Sequence, residues 1–295
     1  MYKNTTITIF TPTYNRAYIL KRCYESLKKQ THKKFTWLIV DDGSSDDTEE
    51  IINEWMREEK INIKYYKKSN GGKSSAHNLG VKKTETELFV CVDSDDYITD
   101  NAIEEILKFW NNCKDNSIAG IVALKGHNSN KPLKTYMPVD KKKLKLFNLY
   151  NKHGFQGDAM LIYKTAILKK NLFPEIDGEK FVPEAYVYDQ IDRNYDLILL
   201  NKVLYICDYL DDGYTKNFKK VIVQNPKGYA KFYAQRMEIC DTFYLKFRSA
   251  TLYVLGNLIA KNRNFIKCSP KKLLTIIAIP SAITIFIFKY RFGKI

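Results

Sequence analysis

Cysteine is scarce and unpatterned in this chain of 295 residues: six are present, with no C-x-x-C pair among them. Cys23, Cys91, Cys113, Cys207, Cys240 and Cys268 are scattered without regular spacing. That pattern suggests neither a disulfide framework nor a zinc site and reads as reduced thiols in a cytosolic protein. Met1–Thr6 lacks the apolar stretch that a signal peptide needs, so the expected location is the cytoplasmic side. Internal repeats and low-complexity linkers are absent too. Acidic side chains run out after Asp241, where ten Lys or Arg residues follow without one Asp or Glu. Overall, 48 basic against 33 acidic residues give a net charge of +15. The uneven excess points to an anionic partner, either a lipid surface or nucleic acid. The apolar segment Leu273–Phe288 is sixteen residues long and holds Pro280, short of the roughly 20 residues that cross a bilayer. Its flanks, Lys271-Lys272 and Lys289, Arg291 and Lys294, suit a helix pair or re-entrant element in a membrane interface. A core-packing or dimer-forming helix is the other reading.

What the chain does have is alternation. Hydrophobic residues make up 45% of it, enough for one large core. Ile7–Phe10, Phe35–Val40, Asn62–Tyr66 and Leu88–Val92 read as strands, separated by helices over Ala17–Lys29, Thr48–Glu59 and Ser74–Lys82. This spacing predicts βαβ units and a parallel sheet, an α/β fold. Right-handed crossovers then bring the loops after all four strands to one rim, where open α/β sheets bind ligands. Those loops are Thr11–Asn15, Asp41–Ser45, Ser69–Lys73 and Asp93–Asp96.

The last of them is the focus. Leu88–Val92 is a buried-strand run that ends in three carboxylates within four residues. If the strand continues, Asp93 and Asp95 share a side. Two carboxylates in one crevice repel unless a cation lies between them, and a hard divalent cation carrying a diphosphate meets that need. A polar turn capping the helix over Ile103–Trp110 is the plainer alternative. Farther on, Ile118–Leu124, Asp158–Tyr163, Leu197–Leu200 and Val203–Ile206 suggest strands. Pro183 fits the first position of a helix running to about Tyr195, and Pro226–Ala260 reads as mostly helical. The expected division is 1–222, with halves at 1–100 and 101–222, followed by a helical extension over 223–295.

Assembled in order, these residues resemble the family 2 glycosyltransferases of the GT-A fold, of the bacterial capsular and cell-wall type. The matching stretches are Phe10–Arg16, Trp37–Thr48, Asn70–Lys73 with Ala76–Gly80, and the D-x-D of Asp93-Ser94-Asp95. More loosely, Phe181–Glu184 and Tyr209–Thr215 match the second half. The resemblance implies inverting transfer of a sugar from a nucleotide-sugar, UDP in the first instance, to a saccharide or lipid-linked acceptor in surface polysaccharide synthesis. It assigns Thr11, Pro12 and Tyr14 to the uracil pocket, Asp41 to hydrogen bonds with the uracil ring, and Asp93 to the ribose. Asp95 takes Mn²⁺ or Mg²⁺, and Lys73 and Asn78 take part in donor binding. Where many members carry Arg in an A-R-N triplet, this chain has Ala76-His77-Asn78, which weakens His77 as a phosphate contact.

Structural roles compete at several positions. Asp42 can hold the Gly43 turn, Asp46 and Asp47 have capping-box spacing, and Asp96 is a turn former or a supporting partner. Gly71-Gly72-Lys73 reads as a flexible loop before the helix over Ser74–Lys82, and the backbone amides at that helix start, with Lys73, suit a phosphate-rich ligand; a solvated hairpin tip is the plainer alternative. For the catalytic base the candidates are Glu184 and Asp189, which lie about 140° apart on a helix, so they cannot share one acceptor hydroxyl. Asp189 has Arg193 one turn on as a partner, and Glu184 is favoured. Two rival functions are a sugar-1-phosphate nucleotidyltransferase, which shares the core fold but would need a G-x-G-T-R-L-like loop, and a basic nucleic-acid-binding protein. The positive charge lies beside an apolar tail instead of an aromatic β face, which favours peripheral membrane contact and no nucleic acid. Oligomeric state is open.

Overall fold

In the computed structural model, which describes residues 6–113, 115–208 and 217–291, the four predicted strands of the first hundred residues are all present and parallel. They are β1 (Ile7–Thr13), β2 (Thr36–Asp41), β3 (Asn62–Lys67) and β4 (Leu88–Cys91), joined by α1 (Ala17–Lys28), α2 (Thr48–Glu58) and α3 (Lys73–Lys83). After β4 come β5 (Tyr97–Ile98), α4 (Ala102–Asn111), β6 (Ile118–Gly126), β7 (Lys143–Leu144), α5 (Leu146–Asn151), β8 (Ala159–Lys164), α6 (Thr165–Leu168), α7 (Ala185–Asp192) and β9 (Asp196–Ile206). The nine-stranded sheet runs β3-β2-β1-β4-β8-β6-β9-β5, with β7 beside β9. β8 is antiparallel to both β4 and β6, whereas β6 and β9 are parallel.

The strands expected at Leu197–Leu200 and Val203–Ile206 are one strand. β9 runs through both, with register shifts against β6 between Ala123 and Leu124 and between Leu124 and Lys125. These irregularities break the hydrophobic pattern into two, which is why the sequence reads as a pair.

Both faces of the sheet are covered, so its central strands are continuously apolar. Ile7 and Ile9 of β1 join α1, α2 and α4 in one core. Here Tyr24, Trp37 and Trp55 stack with centroids 4.3 to 5.9 Å apart, pairs worth about 0.5–1.5 kcal/mol each beyond their burial. Phe10 points the other way, stacking on Phe89 at 5.2 Å and lying under α3. Gly80 permits this approach, because a Cβ there would stand 2.4 Å from the Phe10 ring.

By compactness the chain forms two units, Met1–Leu172 with Gln190–Asp208, and Phe173–Asp189 with Tyr209–Ile295. The boundary expected near 222 falls inside the second unit. That unit holds α8 (Phe218–Gln224), α9 (Pro226–Ile239), α10 (Phe243–Ile259), α11 (Phe265–Cys268) and α12 (Lys272–Ile285), with a π-helical turn over Phe286–Arg291. α9, α10 and α12 share a core of Ala230, Met237, Val254, Leu255, Ala278 and Ala282. The tail is thus one helix that continues through Pro280, in place of the expected helix pair. The motif Tyr209–Thr215 and the flanking Lys294 lie outside the described residues.

Candidate active site

The loops at the carboxyl ends of β1 to β4 are fastened to one another by short polar side chains. Asn15, in the left-handed region at φ 51°, accepts from the Ser45 amide at 2.8 Å and donates its own amide to Ser44 Oγ at 2.9 Å. Asp46 Oδ2 accepts from the Ala17 amide at the start of α1, and its Oδ1 accepts from Thr48. Asp46 therefore caps across two loops. Asp47, which occupies the cap position of α2, makes no side-chain cap bond.

Asp41 is fully buried. Its Oδ1 accepts from the Ser44 amide and its Oδ2 from the Tyr65 hydroxyl, both at 2.8 Å. Asp42 does more than hold the Gly43 turn. It accepts from Lys68 Nζ at 2.8 Å, from Asn70 Nδ2 at 3.1 Å, and from the amides of Gly71 and Gly72 at 2.9 and 2.6 Å. The amides of Gly71 and Gly72, just ahead of the helix, are thus occupied by Asp42, which shapes the loop that carries Lys73. Thr11 commits its hydroxyl to the core, accepting from Trp37 Nε1 at 2.9 Å. Pro12 is buried, and Tyr14 is half exposed at the rim. Thr13 Oγ1, opposite Asp41 in the ladder, is buried with no hydrogen-bond partner, a cost of about 1–3 kcal/mol that a ligand could relieve. On α3, Asn78 is buried, and His77 packs edge-on against Phe10 and Phe89. The imidazole is thus part of the apolar layer.

The D-x-D segment is a turn, not a strand extension: β4 stops at Cys91, and the Asp96 amide donates to the Asp93 carbonyl at 3.1 Å. The carboxylates are brought together by this turn, so the strand-alternation reasoning does not apply. Lys73 Nζ lies 2.7 Å from Asp93 Oδ1. Burial alone would raise the Asp93 carboxyl, but Lys73 and Lys125 outweigh it and hold the group below the usual carboxylate range. Asp95 moves the other way, pushed up by burial and then by the charge on Asp93. Asp96 is buried and accepts from the Tyr205 hydroxyl at 2.7 Å. Burial, followed by Asp93, raises its carboxyl to about 7. It is a supporting partner more than a turn former.

Tyr205 and Lys125 went unnoticed in the sequence. The Tyr205 hydroxyl accepts from the Asp93 amide at 2.9 Å while donating to Asp96, so it ties both ends of the turn to β9. Lys125 Nζ sits 3.9 Å above its ring. A tyrosine inside an apolar strand gives no signal of this. The single cation ending the run Ile118–Leu124 was a usable one.

In the second unit, Glu184 is exposed and immediately precedes α7. The helix starts at Ala185, so Pro183 lies just outside it, in the turn where the Tyr186 amide donates to the Pro183 carbonyl. The segment before Glu184 is clipped to α9. Asn225 Oδ1 accepts from the Lys180 and Phe181 amides, and the Glu179 carboxylate accepts from the Lys227 and Gly228 amides at the start of α9. Asp189 is buried, and Arg236 of α9 grips both of its oxygens at 2.6 and 3.2 Å. Arg236 stands 47 positions away in sequence, so this ion pair leaves no local pattern.

A parallel βαβ half completed by antiparallel β8, with acidic loops at the strand ends, is the GT-A arrangement. Residues 8–172 match the family described as glycosyl transferase family 2, and the chain belongs to that family. Glycosyltransferase GlyG of Streptococcus pneumoniae is 27% identical over 217 residues, 69% of either chain. Among solved structures, S. aureus TarS 1–349 in complex with UDP-GlcNAc superposes with TM-score 0.61 at 20% identity, covering 95% of this chain and 81% of that one. The mannosyltransferase PcManGT of Pyrobaculum calidifontis, in complex with GDP-Man and Mn²⁺, gives TM-score 0.58 at 14% identity, covering 97% and 81%. The chain spans only 15% and 17% of the length of the uncharacterized Rickettsia bellii and Rickettsia felis glycosyltransferases it matches.

Proposed function

We propose that this protein transfers a sugar, with inversion, from a UDP-sugar to a saccharide or lipid-linked acceptor of a cell-surface polymer at the inner face of the cell membrane. The observation that carries this is the charge arrangement at the D-x-D turn: Asp93 is kept anionic beside Lys73 and Lys125, and Asp95 is crowded next to it. TarS of S. aureus, whose name describes an N-acetylglucosaminyltransferase acting on poly(ribitol phosphate), supports the donor class and the polymer acceptor.

In the reaction, the acceptor oxygen forms a bond to the sugar C1 as the bond from C1 to the diphosphate oxygen breaks and UDP departs. Glu184 takes the acceptor proton. Lys73 offsets charge on the departing diphosphate, and Asp93 orients the ribose. Thr11, Pro12, Tyr14, Asp41 and Asn78 are proposed to line or support the nucleotide pocket.

A divalent cation, Mn²⁺ or Mg²⁺, fits the donor set. No group of three or more His, Cys, Asp or Glu side chains able to hold a metal occurs among the described residues. Two carboxylates, Asp93 and Asp95, match instead the way Mg²⁺ is held by one or two carboxylates together with substrate phosphates. Asp95 is the proposed ligand, and the ion would supply Lewis-acid stabilisation of the diphosphate.

The test is UDP release and UDP affinity measured with and without Mn²⁺, using the intact chain and Asp95→Ala. We expect Mn²⁺ to strengthen UDP binding in the parent only, and turnover to fall at least a hundredfold in the variant. Full turnover by a folded Asp95→Ala protein removes the metal assignment. An absence of UDP binding by the parent removes the donor assignment.

A further inference from the structure

The C-terminal helix is two-faced in a way its composition conceals. Thr275, Ala278 and Ala282 are completely buried and pack in the core shared with α9 and α10. Thr275 is further fixed through the Ser269 hydroxyl at 2.6 Å and Met237 Sδ at 3.9 Å. These small side chains allow close approach to the neighbouring helices. Leu273, Ile276, Ile277 and Ile283 are instead 41–73% exposed. At about 100° per residue they occupy an arc of roughly 120° opposite the buried stripe. Phe288, 72% exposed, extends the apolar surface into the π-helical turn. Exposed lysines stand at both ends: Lys267 and Lys271 before the helix, Lys272 at its first position, and Lys289 after it.

We propose that α12 docks lengthwise on an anionic lipid leaflet, with Leu273, Ile276, Ile277 and Ile283 entering the boundary between headgroups and acyl chains and the terminal lysines meeting lipid phosphates. This gives the membrane-side location proposed above a definite surface, and it does not depend on the sugar-transfer chemistry. Charge selects the occupant. No acidic residue follows Asp241, so two copies meeting through this face would juxtapose like charges, whereas an anionic leaflet complements both ends. By length and composition, Lys272–Tyr290 is also sufficient to cross a bilayer. Spanning would strip Thr275, Ala278 and Ala282 from α9 and α10, while lying in the interface keeps that packing and buries only the free face.

Flotation of the full chain with phosphatidylcholine vesicles, with and without phosphatidylglycerol, tests the proposal. Protein should float with the phosphatidylglycerol vesicles only, and leave them in high salt or alkaline carbonate. Lys271→Glu with Lys272→Glu should weaken binding by about tenfold or more. Ile276→Asp with Ile277→Asp should abolish it, with unchanged circular dichroism and unchanged UDP release to a soluble acceptor. Failure of the parent to float, or undiminished floating of the isoleucine variant, overturns the proposal. So does retention in carbonate, which marks a span, or a parent dimer that the isoleucine changes split into monomers, which gives the face to a second copy. A chain that floats but releases no UDP sinks the catalytic reading alone.

Discussion

Replacing Tyr205 by Phe removes one oxygen and leaves the ring, which isolates what the hydroxyl does. That oxygen donates to Asp96 at 2.7 Å and accepts from the Asp93 amide at 2.9 Å, and Tyr205 and Asp96 are both buried. The substitution leaves a buried carboxyl without a donor and an amide without an acceptor. Each unsatisfied buried polar group costs about 1–3 kcal/mol, so the two together should cost about 2–6 kcal/mol. The cation–π contact with Lys125 survives, since Phe offers a similar face. The turn carrying Asp93 and Asp95 then loses its tie to β9. Donor KM should rise and Mn²⁺-assisted UDP binding should weaken, even under conditions where the variant is fully folded. Urea denaturation and UDP titration calorimetry measure the two effects separately. A loss below about 0.5 kcal/mol with unchanged UDP affinity would refute the assignment of Tyr205 as the brace of the D-x-D turn. Lost stability with unchanged UDP affinity would confine its role to folding.

The parallel half of the sheet was legible because its strands are buried on both faces and its helices carry single apolar stripes, so each element declares itself in a short window. The rim loops were legible for a related reason: small and acidic residues interrupt apolar runs at regular intervals. What escaped was whatever depends on distant pairing. Tyr205 reaches back across 109 positions to Asp96, and Arg236 across 47 to Asp189, and neither leaves a local pattern. Asp42 misled differently. Its neighbour Gly43 offered a sufficient local role, while the four donors it gathers from Lys68 to Gly72 lie on the loop after the next strand. Pro280 was weighted as a breaker, but it falls on the exposed side of α12, opposite the residues that anchor the helix.

Asp42→Ala should free the amides of Gly71 and Gly72 and release Lys68, raising donor KM; hydrogen exchange at residues 71–74 should speed up, and unchanged protection there would contradict the clamp. The two candidate bases, Glu184 just before α7 and Asp189 within it, are separated by how each variant fails. Asp189 is buried and gripped through two hydrogen bonds by Arg236, whose side chain is 24% exposed. Removing one partner of such a pair costs about 3–5 kcal/mol, because the remaining charge is left buried and uncompensated. Asp189→Asn should therefore lower the urea midpoint clearly, while the fraction still folded transfers sugar at near the parental rate. Glu184 is exposed, so Glu184→Gln should leave stability and UDP affinity unchanged and reduce transfer by roughly a hundred- to ten-thousandfold, the usual worth of a general base. Single-turnover transfer measured at a denaturant concentration where all three proteins are folded makes the comparison. If Asp189→Asn stops transfer there and Glu184→Gln does not, the base is Asp189, and its ion pair with Arg236 has to open during the reaction.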